Sequence, residues 1–183
     1  MSGGHGPGAH GAENKTVALI IAILALMLAV AEILGQKAQT QTLQSNIEAS
    51  NLWSFFQAKT IRRTIAETAA DEMETMISGA TNEASRKAMT DRVARFRATA
   101  QRMESEPDTK EGRKELMARA KAAEALRDKA GIKHYRFELA SGAFQIAIVV
   151  ASASIITGIV AMLWGAGALA LLGAFFLFGG LFA

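Results

Sequence analysis

The last charged side chain in this chain is Glu138, and none of the 45 residues after it carries a charge. Such a stretch cannot be ordinary soluble surface. Its most apolar part, 143–183, would be about 60 Å long as one helix, roughly twice the ~30 Å hydrocarbon core of a bilayer. It must therefore fold back on itself. Trp164-Gly165-Ala166-Gly167 is the expected turn, because glycine tolerates the backbone angles a reversal needs and Trp favours the membrane interface. Two spans follow, at 143–163 and 167–183.

A third apolar run lies near the start, at 16–34, with Glu32 as its one charge. Nineteen helical residues rise ~28 Å, enough to cross. The run is longer than the core of a cleaved signal peptide, so it reads as a retained anchor. Every Lys and Arg except Lys15 falls between Lys37 and Arg136, so charge and apolarity are segregated along the chain. This excludes a plain soluble globule and a disordered acidic chain. With no Cys among the 183 residues, disulfides, thiolate metal sites and thiol catalysis are excluded as well.

The segment 35–142 reads as helical throughout. Ala, Glu, Lys, Arg, Gln and Met dominate it, strand-like alternation is missing, and the breakers between Gln36 and Ser141 are few: Gly79, Pro107, Gly112 and Gly131. A helix is expected over 36–77, continuing the first span across Gly35, and it stops at Ser78-Gly79-Ala80-Thr81-Asn82. A second runs over 83–103. A third starts near Pro107, suited to a first helical turn, and is nicked at Gly131 before feeding the second span. The second helix carries Met89, Val93, Phe96, Ala100 and Met103 at heptad spacing over two heptads, a pattern for helix-on-helix or coiled-coil packing. Its basic residues face an acidic end of the first helix, Glu67–Glu74. A hairpin about Gly79 would set Glu74 beside Arg86.

The expected fold is thus all-α: three transmembrane helices and a long-helix extramembrane domain, a helical hairpin or bundle. A Gly-rich tail, 1–15, is expected to be disordered. His5 and His10 in it have the wrong spacing and ligand number for a metal site.

No catalytic constellation is visible, and no enzyme activity, cofactor or nucleic-acid partner is expected. There is no His-x-x-x-His pair, no phosphate loop and no G-x-S-x-G turn. Three features remain. Ala147, Ala151, Ser154, Gly158 and Ala161 recur at intervals of four and three, a small-residue seam that lets membrane helices touch closely. Glu32 is a polar side chain at membrane level, able to hold a proton or ion or to reach back to the interface. Trp53, Phe55, Phe56, Gln57 and Lys59 crowd nearly two turns of helix, a core knot, a cation–π pair or a docking face.

The run Asn51-Leu-Trp-Ser-Phe-Phe-Gln-Ala-Lys-Thr-Ile-Arg62, with Gln145-Ile-Ala-Ile-Val-Val-Ala-Ser152, resembles a bacterial membrane-protein family known only as a domain of unknown function. The likeness covers nearly the whole chain. It implies an inner-membrane, multi-pass protein with an inside N-terminus and a periplasmic middle, and it implies no activity, cofactor or catalytic residue. The turn between the last two spans lacks the basic residues that the resemblance leads one to expect there. The expected role is a homo-oligomeric inner-membrane scaffold or accessory protein, with membrane lipids and further copies of itself as partners. The alternative is an oligomeric channel or transport component, with Glu32 and the hydroxyls of the second span facing a pore.

Overall fold

The computed structural model describes residues 8–183, with side chains from Lys15 onward. The first seven residues of the expected tail lie outside the described ones. Four helices follow one another: α1 (Gly8–Ile77), α2 (Glu83–Glu104), α3 (Arg113–Thr157) and α4 (Val160–Leu181). The fold class is all-α, with no strand among the described residues. Three of the helices, α1, α3 and α4, are long and apolar enough to cross a membrane.

The chain divides into two compact units. One takes the chain up to Leu43 and Asp128–Ala183; the other is Gln44–Arg127. In the first unit, Leu24, Ala31 and Ala38 of α1 pack with Phe137, Ala140, Phe144 and Ala147 of α3 and Leu177 of α4. Two aromatic rings fix how α3 meets α4. A Cβ on Gly173 would fall 2.8 Å from the Phe144 ring, and one on Gly180 would fall 2.6 Å from the Phe137 ring. Seven residues along α3 are thus matched by seven back along α4, and Ala151 and Ala166 continue the two rows, both buried. The α4 helix rises about 33 Å over its 22 residues.

This register corrects the expected turn. The reversal falls at Gly158–Ile159, between α3 and α4, not at Trp164–Gly167. Gly158 is the one glycine with positive φ (69°) among the described residues, a conformation that costs a glycine nothing. Its amide closes on the Ser154 carbonyl at 2.9 Å. Gly165 and Gly167 sit inside α4, and Trp164 is exposed there. The spans expected at 143–163 and 167–183 accordingly become the apolar end of α3 and the whole of α4.

The second unit contains the later part of α1, all of α2 and the first part of α3. Its core is Ala49, Leu52, Leu116, Ala120 and Ala123, with Trp53 and Phe56 against it. The link after α1 lies where expected, with the Asn82 side chain accepting from the Ser85 amide at 2.8 Å. The charge pairing across α1 and α2 differs in register. Asp71 and Glu74 take Arg97 rather than Arg86, and Arg63 takes Glu104. The reason is the link itself: it ends on an extended Asn82 (φ −145°, ψ 160°), which moves the pairing centre past Gly79.

Two expectations for the third helix also change. It starts at Arg113, not near Pro107, because Lys110 takes a left-handed conformation (φ 57°) that ends any helix there. It is not nicked at Gly131, around which a Cβ would meet nothing within 4 Å. The buried positions of α1 hold a seven-residue interval in both units: Val17, Leu24, Ala31 and Ala38, then Ser45, Leu52, Lys59 and Ala66.

Candidate functional site

The Trp53–Lys59 cluster is the most elaborated side-chain arrangement of the second unit. Three of its five members are tied to groups far away in sequence, and Phe55 is tied to one of them, Lys59. Trp53 donates its indole N–H to Glu124 on α3 at 2.9 Å, satisfying the polar atom of a large half-buried ring. Its ring meets Phe56 edge-on, centroids 5.4 Å apart. The Arg113 guanidinium stacks over Phe56 at 4.9 Å and donates from Nε to Thr60 Oγ1 at 2.8 Å. It also pairs with Glu104, at the end of α2.

Lys59 occupies the buried row of α1, only 5% exposed. A buried ammonium needs a partner. It has two: the Phe55 ring, 5.5 Å from Nζ to the centroid, and Glu106 Oε2 at 3.6 Å. Gln57 points away from this cluster and is exposed.

Glu106 and Glu115 hold the loop between α2 and α3. The Arg102 guanidinium hydrogen-bonded to Glu106 is the main cause holding that carboxyl below its usual value. Burial opposes the shift, while the Thr109 hydroxyl and the charges of Arg102 and Lys59 add to it. Glu115 is likewise held low, first by the Ser105 hydroxyl at 2.6 Å, and further by the Glu106 amide at 3.2 Å. Gly112 makes this closure possible: a Cβ there would fall 2.4 Å from the Glu106 nitrogen and 2.6 Å from Ser105 Cα.

The other sequence candidates fare differently. The expected seam is split. Ala147, Ala151 and Ser154 are buried on α3, but Gly158 forms the turn and Ala161 is exposed on α4. The seam is broken because a single positive-φ residue ends the helix that would have carried it. The hydroxyls of Ser152, Ser154 and Thr157 bond to carbonyls of their own helix. Glu32 accepts from the Gln145 amide at 3.3 Å, and both side chains are exposed on the first unit.

Sequence reasoning did not single out Arg113, Glu124 or Glu106, nor Gly173 and Gly180, and it marked Gly112 only as a helix breaker. The only signal for the first three was charge opposite an aromatic cluster, and nothing local distinguishes those glycines from the others. Among the described residues no group of three His, Asp or Glu is placed to hold a metal, and no buried side-chain nitrogen or oxygen lacks a partner. The cluster is a closed lock of three helices and a loop. Its polar atoms are used on one another, and such an arrangement fixes geometry.

No curated protein and no solved structure matches the chain. Residues 13–183 match the family model described as Domain of unknown function (DUF4337), and the chain belongs to that family.

Proposed function

We propose that this is a homo-oligomeric scaffold or accessory protein of the inner membrane, anchored by three spans and assembling through α1 of its extramembrane part. One observation carries the reading. Ile47, Ile61, Ile65 and Met76 lie on α1 with about 60% of each side chain exposed. At 3.6 residues per turn they fall within about 60° of arc, turned roughly 100–160° from the buried row of Ser45, Leu52, Lys59 and Ala66. The row runs about 44 Å along the axis. Four large apolar side chains thus share one face of a helix already packed on another, with Ser54 and Glu72 exposed on the same arc; such a face fits a second long helix, and an identical chain supplies one.

The composition of the unit's own core agrees. Three of its five deeply buried residues are alanine, and alanine cores bury little area. Identical chains sharing one bilayer plane close most readily by cyclic symmetry. The resemblance described above favours a periplasmic location for this part.

Molar-mass measurement of the detergent-solubilised chain over a wide concentration range tests the assembly. A multiple of the chain mass is expected, falling to a single chain in the double variant Ile61→Glu, Ile65→Glu. Both residues are exposed, so the variant keeps its helix content. A single-chain mass for the unaltered protein at every concentration refutes the reading. For orientation, a cysteine at Thr81 is unique in a chain that has none, and it lies in the exposed link before α2. Its labelling by an impermeant maleimide in intact spheroplasts is expected, and protection until lysis places this part in the cytoplasm instead.

A further inference from the structure

We infer that the groove between α3 and α4 is a binding site for one phospholipid with a primary-ammonium headgroup. The inference rests on the reading of these helices as membrane spans. The groove has a volume of about 550 Å³ and is lined by Tyr135, Glu138, Gly142, Ile146, Leu172 and Phe176 among others. Gly142 adds no side chain to its wall, and a Cβ there would meet nothing within 4 Å. Phe137 and Phe144, which seat into Gly180 and Gly173, lie about half a turn round α3 from this face. They draw α4 close without filling the groove.

The polarity of the groove follows that of a lipid. Glu138 is the last charged residue before a charge-free stretch, so Tyr135 and Glu138 mark the headgroup level. Ile146 lies about 12 Å deeper, two turns further along α3. Arg136 donates to the carbonyl of Gly179, one turn beyond Phe176 on α4, so its guanidinium stands at the same end. That end offers a carboxylate, a phenol and a guanidinium. The Glu138 side chain is 69% exposed and has His134 4.0 Å away; Tyr135 is 62% exposed.

An ammonium group with N–H donors complements Glu138 and the Tyr135 hydroxyl, and a phosphate complements the free N–H groups of Arg136. A trimethylated headgroup has no N–H to donate. A glycerol headgroup brings no cation to the carboxylate. Both acyl chains of the ethanolamine lipid then follow the apolar wall formed by Ile146, Leu172 and Phe176.

The test uses the full chain in mild detergent, with phosphatidylethanolamine, phosphatidylcholine and phosphatidylglycerol added at equal concentration, and counts retained lipid by native mass spectrometry. One ethanolamine lipid per chain is expected, held about tenfold over the other two, the lower end for a hydrogen bond to a charged group. Glu138→Gln should remove the preference. Gly142→Leu should fill the groove and lower retention about tenfold for every lipid, with helix content unchanged because the added side chain enters open space. Equal retention of the three lipids overturns the site. So does a preference for phosphatidylglycerol, which would mean the basic end governs, and so does unchanged binding by Gly142→Leu. Crosslinking between copies through a cysteine at Gly142 without any retained lipid would assign the groove to a second copy and also overturn the proposal. The spans themselves are judged separately, by whether the chain needs detergent to stay in solution.

Discussion

Gly112→Ala is the sharpest probe of the loop that joins α2 to α3. The φ of Gly112 is not in the left-handed region, so the test is purely one of space. The new Cβ would fall 2.2 Å from Glu115 Oε2, 2.4 Å from the Glu106 nitrogen and 2.6 Å from Ser105 Cα. A side-chain oxygen can swing aside, but the other two atoms are backbone. Restoring ordinary contact asks the loop to move by about 1 Å. That displacement breaks the 3.2 Å bond from the Glu106 amide to Glu115 and strains the 2.6 Å bond from Ser105. Overpacking of this kind costs about 1–3 kcal/mol. At about 2 kcal/mol, amide protection against hydrogen exchange over residues 104–116 should fall roughly 30-fold. The Leu116 amide, bonded to the Gly112 carbonyl at 2.8 Å, should be among those affected. Gly131→Ala is the matched control. Its Cβ enters open space inside α3, so helix propensity predicts a neutral change or a gain of about 0.5–1 kcal/mol. Protection over 104–116 within twofold of the unaltered chain in Gly112→Ala would refute the close approach, and with it the account of how this loop closes.

Two further outcomes are expected. Gly173→Ala should weaken the α3–α4 hairpin by about 1–3 kcal/mol, because the Phe144 ring it meets is only 1% exposed and has nowhere to turn. Gly167→Ala, which meets nothing, should not. Unfolding by graded denaturing detergent reads the difference. Glu106 and Glu115 are both held below the ordinary glutamate value, so folding favours their ionised forms. Their contribution is present in full above the ordinary value and is lost as pH falls through the lowered ones. Protection over 104–116, corrected for intrinsic exchange, should drop in that acidic range. It should drop less in Glu115→Gln, which is already weakened at neutral pH. An equal acid response in both chains would mean these carboxyls do not hold the loop.

What could be read from the sequence depended on whether the signal was local. The charge-free end, the apolar run near the start and the Ser78–Asn82 break are properties of contiguous residues, and the long helices followed from them. The turn between the last spans was different. Gly158, Gly165 and Gly167 are alike as letters, and only the φ of 69° at Gly158 singles it out. That angle is set by where Phe144 meets Gly173 and Phe137 meets Gly180, which is tertiary register. The aromatic cluster was visible as a cluster, but its meaning was not. Trp53 is completed by a residue 71 positions away and Phe56 by Arg113.

The buried row of α1 explains both the missed pattern and the surface left over. A seven-residue interval is usually recognised by large apolar residues. Here the row holds Ala31, Ala38, Ser45, Lys59 and Ala66 beside Val17, Leu24 and Leu52, so hydrophobicity scarcely marks it. Small residues let helices approach closely, and the larger apolar side chains then stand elsewhere on α1. Leu19, Ile23, Leu26 and Ile33 are exposed where the helix is apolar enough to cross a membrane, and Ile47, Ile61 and Ile65 are exposed where it is not. Lipid accounts for the first set. It does not account for the second, which in water costs about 1.5–3 kcal/mol per fully exposed large side chain relative to burial. A Lys in the buried row, tied to a loop carboxylate, sharpens the contrast. This helix spends a charged residue on fixing its inner register and leaves isoleucine outside, an arrangement that makes physical sense when the outer face is also an interface.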